Sequence, residues 1–233
     1  ARGFLITFDW NGFRFVDPTS VGFTGSPGDD HYPSAATAGI LGLGVSGRTA
    51  GGCADCDFGG TDAGAVEISS TAVLVQTDFG SAGAAAGDHF GASLAIGDFD
   101  GDSELDLAIG APGKNHGTGN PSDSGRTYVA YGPIEDGVQN EFDILGEEDV
   151  PGQTPAADEL FGTAIAAGDF DGDGRDDLAV GAPGEFSGGD GAVLSFYGGP
   201  SALAGSTRFN EGSVGGTAGD GQAFGAVLAA GDL

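Results

Sequence analysis

The sequence predicts an all-β protein of β-propeller type, its blades each made of four short antiparallel strands and the set incomplete as a single chain. Three observations predict this. Glycine supplies 48 of the 233 residues, so long amphipathic helices are disfavoured, each interior glycine costing a helix about 1 kcal/mol relative to alanine. Apolar residues alternate in short runs: Leu105, Leu107 and Ile109 share one strand face, as do Leu94 and Ile96. Finally, one segment recurs without a gap. Residues 90–113 read F-G-A-S-L-A-I-G-D-F-D-G-D-S-E-L-D-L-A-I-G-A-P-G, and residues 161–184 read F-G-T-A-I-A-A-G-D-F-D-G-D-G-R-D-D-L-A-V-G-A-P-G. A third copy, F-G-A-V-L-A-A-G-D-L, starts at Phe224. A repeat of about 65 residues with four strands each is the pattern of a propeller blade.

From the N-terminus, F-L-I-T-F-D-W-N-G-F-R-F-V (4–16) predicts a hairpin turning at Asn11-Gly12 in type I′ geometry, with Phe4, Ile6, Phe8 and Trp10 in one apolar stripe. Such a pair either packs on its own domain or completes a neighbouring sheet. Gly39–Gly47 is similar to the L-A-I-G-A-P-G segment, with Gly44 matched to Gly110, and Ala65–Ser69 and Val73–Thr77 fall where third and fourth strands belong. This predicts a degenerate blade whose acidic loop is missing, with only Asp29 and Asp30 near its place. Two full blades follow, with strands near 90–97, 105–110, 127–131 and 141–145, then near 161–168, 176–181, 192–197 and 206–209.

The chain therefore divides into a hairpin plus degenerate blade (1–87), two repeat blades (88–155 and 156–217) and the first strand of a further blade (218–233). At about 67 residues per blade the chain holds roughly 3.5 blades, fewer than the four to eight of a closed ring. Either it is a fragment of a longer propeller, or the Phe224–Leu233 strand of one subunit completes a sheet of the next. Such head-to-tail contacts propagate into filaments or close into rings.

The charge narrows the function. There are 35 acidic residues against 7 basic ones, a net charge of −28, and Lys114 is the single lysine. That field repels nucleic-acid phosphates and anionic lipid, and no apolar run is long enough for a membrane-spanning helix. So acidic a chain suits salty, cation-rich surroundings outside a cell or at its surface, and because it starts at Ala1, contains no methionine and lacks a basic-then-apolar leader it reads as a mature or trimmed product. Cys53 and Cys56 stand in G-G-C-A-D-C-D-F-G-G. The flanking glycines argue against a redox helix, and zinc would need two further ligands. A local disulfide or two free thiols remain.

The chemistry concentrates in two nine-residue loops. D-F-D-G-D-S-E-L-D places Asp98, Asp100, Asp102 and Asp106 at positions 1, 3, 5 and 9, and D-F-D-G-D-G-R-D-D places Asp169, Asp171, Asp173 and Asp177 there. Four carboxylates so close repel one another unless a hard cation gathers them, and Ca²⁺ accepts six to eight oxygens in flexible geometry. Gly101, Gly172 and Gly174 allow the tight turn. Position 7 is expected to contribute a backbone carbonyl, which is why Glu104 and Arg175 can differ there. An EF-hand is excluded, because position 12 is Ile109 or Val180 within strand-like sequence. Magnesium, which prefers few carboxylates and retained waters, fits less well.

The order F-G, D-x-D-G-D, G-A-P resembles the FG-GAP repeats of the integrin α-chain N-terminal β-propeller. The resemblance is strong over 88–200, partial over 218–233 and weak over 13–80. It implies Ca²⁺ at the two loops and a part in adhesion or ligand binding at a cell surface, with a protein or glycan, or copies of the chain itself, as partner. Alternatives are a ligand-recognition fragment of a larger receptor-like protein and an accessory module of a secreted hydrolase. Catalysis is not expected. His31, His89 and His116 form no H-E-x-x-H arrangement, and neither a G-x-S-x-G elbow nor a phosphate-binding glycine loop is present.

Overall fold

The computed structural model describes residues 5–9, 12–16, 35–39, 48–53, 63–69, 72–80, 83–115, 122–134, 141–185, 190–216 and 221–231. The protein is all-β, with no α-helix among the described residues. Strands β1 (Leu5–Asp9) and β2 (Gly12–Val16) pair with each other and, among the described residues, with no other strand. Three four-stranded meanders follow. They comprise β3 (Ala35–Gly39), β4 (Arg48–Cys53), β5 (Ala65–Ser69) and β6 (Ala72–Leu74); β7 (Ser93–Gly97), β8 (Asp106–Ala111), β9 (Arg126–Ala130) and β10 (Phe142–Leu145); and β11 (Ala164–Gly168), β12 (Asp177–Ala182), β13 (Ala192–Tyr197) and β14 (Ala204–Phe209). Every pairing within them is antiparallel between chain neighbours, which is the wiring of open propeller blades.

The blades stack face to face. Leu107, Ile109, Tyr128 and Ala130 of the middle sheet pack with Val66, Ile68 and Leu74 of the sheet before it. The opposite face presents Ala108, Val129 and Tyr131 to Leu178, Val180 and Phe196 of the sheet after it. Strand β8 is consequently buried at all six residues, although its sequence alternates less strictly than that of a half-exposed strand. Phe79, Phe90 and Tyr128 cluster in the first of these interfaces with centroids 5.2–5.9 Å apart, Tyr128 meeting both phenylalanines edge-on and the two phenylalanines tilted against each other.

The F-G dipeptide joins one blade to the next. Phe90, Phe161 and Phe224 each form an isolated parallel bridge to the glycine that opens the third strand of the preceding blade, Gly64, Gly125 and Gly191. Gly125 shows why that partner is glycine. Its φ is +87°, and a Cβ there would stand 2.1 Å from the Phe161 carbonyl oxygen.

Three expectations are corrected. Asp9 pairs with Gly12, so Gly12 opens the second strand and is not a turn residue of an Asn11-Gly12 hairpin. In the upstream sheet the second strand is Arg48–Cys53 and not the Gly39–Gly47 segment, because the apolar I-L-G-L-G-V imitates a buried strand. The pairs Gly52–Val66 and Cys53–Ala65 match Gly110–Thr127 and Ala111–Arg126, which makes Gly52 the counterpart of Gly110 in place of Gly44. Residues 40–47 thus join β3 to β4 as residues 98–105 join β7 to β8. Residues 40–47 contain no carboxylate and lie outside the described residues, and Arg48 pairs with Gly39 as Asp106 pairs with Gly97. Asp29 and Asp30 precede β3 and lie outside the described residues. The third correction concerns Phe224, which makes its bridge, whereas residues 226–231 form no strand and Val227 is 86% exposed. Strands β7 and β11 are held by β8 and β12, and this segment has no such partner among the described residues.

Candidate metal centre

Both acidic loops run from the end of a blade's first strand to the start of its second, between β7 and β8 and between β11 and β12. Each is folded by its own carboxylates. Asp98 accepts hydrogen bonds from the Gly101 N–H (2.8 Å) and Ser103 N–H (3.1 Å). Asp169 accepts from Gly172 (2.7 Å) and Gly174 (3.0 Å). Gly101, Gly172 and Gly174 all have positive φ, in accord with a tight left-handed turn. The ninth residue closes the loop. Asp106 is fully buried and accepts from Phe99 N–H (2.6 Å) and from Gly132 N–H (2.8 Å), beyond the third strand. Asp177, also fully buried, accepts from Phe170 (2.7 Å) and Gly198 (2.8 Å) in the same way.

This folding brings Asp98, Asp100 and Asp106 together, with one oxygen from each within 4.8 Å of the others, and gathers Asp169, Asp171 and Asp177 equally. Asp102 and Asp173 are not in those groups. Each instead accepts from the N–H two residues on, of Glu104 (2.7 Å) and Arg175 (2.9 Å). Crowding is costly without a counter-charge. Burial, with the Asp100 and Asp98 charges adding, pushes the Asp106 carboxyl up to about 7 against the lowering effect of its two N–H bonds. Asp100 is also raised, by burial first and then by the charges of Asp102, Asp98 and Glu141. An all-oxygen, strongly anionic donor set of this kind fits a hard divalent cation.

Two residues act in ways the loop spacing did not reveal. The Asp176 carboxylate accepts from Asp98 N–H (3.0 Å) while its own N–H donates to the Asp98 carbonyl (3.0 Å), tying the second loop to the first. Arg175 pairs with Asp173 (2.5 Å), and its side chain lies so close to Gly101 that a Cβ there would meet Nε at 2.9 Å and the aliphatic stem at 3.2–3.3 Å. Only comparison of the faces of adjacent repeats could have shown this, because both residues fall at positions that differ between the two loops.

A cleft of about 500 Å³ opens between the blades beside the first loop, bordered by Asp100, Tyr131, Glu141, Asp143 and Ser201. Tyr131 O–H donates to Asp143 (2.6 Å) and accepts from Leu203 N–H (2.9 Å), which ties its wall to the next blade. Burial, aided by the Asp143 bond, raises the Tyr131 hydroxyl far above its usual value. His89, at φ 55°, is a turn residue whose carbonyl accepts from Ala92 N–H. Leu160 and Ala223, at the same place in the other copies, share that backbone. Cys56, His31 and His116 lie outside the described residues, and so does any Cys53–Cys56 pairing.

The comparisons with known proteins agree with the geometry. The FG-GAP repeat model matches residues 90–129 and 161–196. These two blades are FG-GAP repeats. The chain is 38% identical over 119 residues to Integrin alpha-PS2 of Drosophila melanogaster, covering 49% of this chain and 8% of that protein. It is 34% identical over 117 residues to Phosphatidylinositol-glycan-specific phospholipase D of Rattus norvegicus (48% of this chain, 13% of that protein), and 38% identical over 106 residues to the Mus musculus protein of that name (43% and 12%). The chain thus spans about a tenth of the length of each relative. Among the described residues no helix is long and apolar enough to cross a membrane.

Proposed function

We propose that this is an extracellular calcium-binding FG-GAP repeat protein with a structural or adhesive role at a cell surface, its units being 1–87, 88–155, 156–217 and 218–233. The observation that carries the reading is the gathering of three carboxylates in each of two loops, at identical loop positions. In it, Asp98, Asp100, Asp102 and Asp106 with the Glu104 carbonyl hold one Ca²⁺. Asp169, Asp171, Asp173 and Asp177 with the Arg175 carbonyl hold the other. Calcium would supply the charge neutralisation that lets each buried ninth-position aspartate stay ionised. The role is non-catalytic, and the partner is a protein or glycan, or further copies of the chain joined head to tail. Neither nucleic acid nor membrane insertion is involved, in keeping with the net charge of −28.

A second reading, an accessory module of a secreted hydrolase, is supported by the matches to two proteins named as phospholipases. The test is thermal melting and sizing of the 233-residue chain with Ca²⁺ and with a chelator. An ion that binds only the native state stabilises it by about 2.7 kcal/mol per site at a hundred times its dissociation constant. Calcium should therefore raise the melting temperature markedly, with two ions bound per chain by calorimetry. Melting that ignores the chelator would overturn the calcium assignment. Large calcium-dependent particles support self-association, and a monomer in both conditions removes it.

A further inference from the structure

Each blade junction carries the same three polar positions on the side of the fold built by the turns that follow the fourth strands. They are the first residue of the 3-10 turn after the fourth strand, the residue two before the F-G phenylalanine, and the residue after A-P-G. At the first junction they are Gln76, Asp88 and Lys114; at the second, Glu147, Glu159 and Glu185. At the third, the first two are Glu211 and Gln222.

The first junction is neutral. Lys114 Nζ donates to Asp88 Oδ2 and to the Gly83 carbonyl, both at 2.8 Å, and Gln76 is an uncharged amide. At the third, Gln222, with its amide nitrogen turned toward Glu211, donates to both carboxylate oxygens at 2.6 and 3.0 Å. The second junction has three carboxyl groups, 2%, 5% and 3% exposed for Glu147, Glu159 and Glu185. The groups facing Glu147 are Glu159 from the turn before β11, Glu185 from the turn after β12, and Arg208 from β14. Arg208 Nε is bound to Glu185 at 2.6 Å, and the nearby Arg126 is engaged by Glu148 at 2.6 Å. Fully ionised, the cluster would bury three negative charges against one positive, leaving Glu147 Oε1 and Glu185 Oε2 without a donor. Backbone contacts bring these turns together, with Gly184 N–H donating to the Glu159 carbonyl (3.1 Å) next to Glu185, and Ser206 Oγ of β14 to the Asp149 carbonyl (3.1 Å) in the turn of Glu147. There the carboxyls of Glu147 and Glu159 come within hydrogen-bonding reach of each other. Two carboxylates cannot hydrogen-bond without a proton between them.

We infer that Glu147 and Glu159 share one proton, and that this proton latches the two FG-GAP blades together and is given up to solvent base in alkaline solution. It takes the place of the amide donor that Gln222 brings to Glu211 at the third junction. Burial, the Glu159 bond and the charges of Glu185 and Glu159 all push the Glu147 carboxyl far above its ordinary value, with Arg208 opposing. A carboxyl raised in the folded state keeps its proton where the unfolded chain has lost it. Its contribution to stability is therefore full below the unfolded value of about 4.3, declines as pH rises, and is gone above the folded value.

The experiment compares the calcium-saturated chain with its Glu147→Gln variant, which installs the residue found at the first junction. Between about pH 5 and about pH 8, the folded-to-unfolded ratio of the parent should fall relative to the variant by up to tenfold per pH unit. Parallel stability curves would overturn the latch. Should the variant fail to fold, the infrared carbonyl stretch of a protonated carboxyl in the parent decides. Its presence near neutral pH with calcium bound supports the shared proton, and its absence overturns it. Calorimetry adds a third arm: one fewer Ca²⁺ bound by Glu147→Gln would make the cluster a cation site and sink the proposal, whereas unchanged stoichiometry supports it.

Discussion

The two acidic loops share one aromatic residue at position 2 and treat it in opposite ways. Phe99 is fully buried against the following blade, whose Gly199 N–H also donates to the Phe99 carbonyl (3.1 Å). Phe170 is 46% exposed, and Asp169 and Asp171 are exposed beside it, whereas Asp98 and Asp100 are half-buried. Nothing in D-F-D-G-D differs between them. The difference is the neighbour, because a blade's loop is finished by the face of the blade after it, and none packs on the second loop among the described residues. A loop's electrostatics are thus partly a property of the stack, as the burial-driven rise at Asp100 and Asp106 shows.

The largest effect that separates the loops is therefore in packing. Phe99→Ala should cost about 3–5 kcal/mol, since it empties a filled site in the interblade core. Phe170→Ala should cost under about 1 kcal/mol, the range for exposed positions. Denaturant unfolding of both variants measures this directly. Equal costs would mean that Phe170 is covered in solution, and would point to a partner, such as a second copy, seated on that face.

Next comes the coupling between loops. Asp176 belongs by sequence to the second loop, yet its carboxylate holds the Asp98 N–H of the first. Asp176→Ala should weaken calcium binding at the first loop by severalfold, about 1 kcal/mol for the lost bond. Asp171→Ala should weaken the second site and leave the first largely intact. Calorimetric titration of the two variants gives opposite patterns if the tie matters, and the same pattern if the loops act alone.

Strands β7 to β14 were legible in the sequence because two in-register copies and a period of two fixed both their limits and their pairing, to within one or two residues except at the start of the first strand. The loop carboxylates were legible for a similar reason, since like charges at alternate positions have few stable explanations. The upstream sheet was misread where apolar content stood in for pattern. Ile40, Leu41, Leu43 and Val45 suggested a buried strand, while the true strand, R-T-A-G-G-C, carries almost no apolar signal and takes its place from register with β5. Asp176, Arg175 and the junction glutamates were invisible because their roles lie between repeats, and an alignment of copies does not show which faces meet. The signal was nonetheless present. Lys114 and Glu185 follow the same A-P-G, and a reversal of charge at matched positions marks a junction whose compensation must come from elsewhere.

The smallest expected effect lies at loop position 6, where the two loops differ by a single backbone requirement. Gly174 has φ +92°, and its counterpart Ser103 sits at φ 73°, a left-handed conformation that costs an ordinary L-residue about 1–2 kcal/mol. Ser103→Gly removes that cost but adds the roughly 0.5–1 kcal/mol of backbone entropy that glycine loses on folding. The net gain is therefore small, about 0.5 kcal/mol. The Ser103 N–H that donates to Asp98 survives the change, so the loop keeps its shape. Gly174→Ser should cost about the same in the opposite sense, because it imports the first loop's strain into the second. Unfolding midpoints for the two exchanges should move in opposite directions by similar amounts. If both fall, the serine hydroxyl contributes to the first loop something its backbone does not reveal.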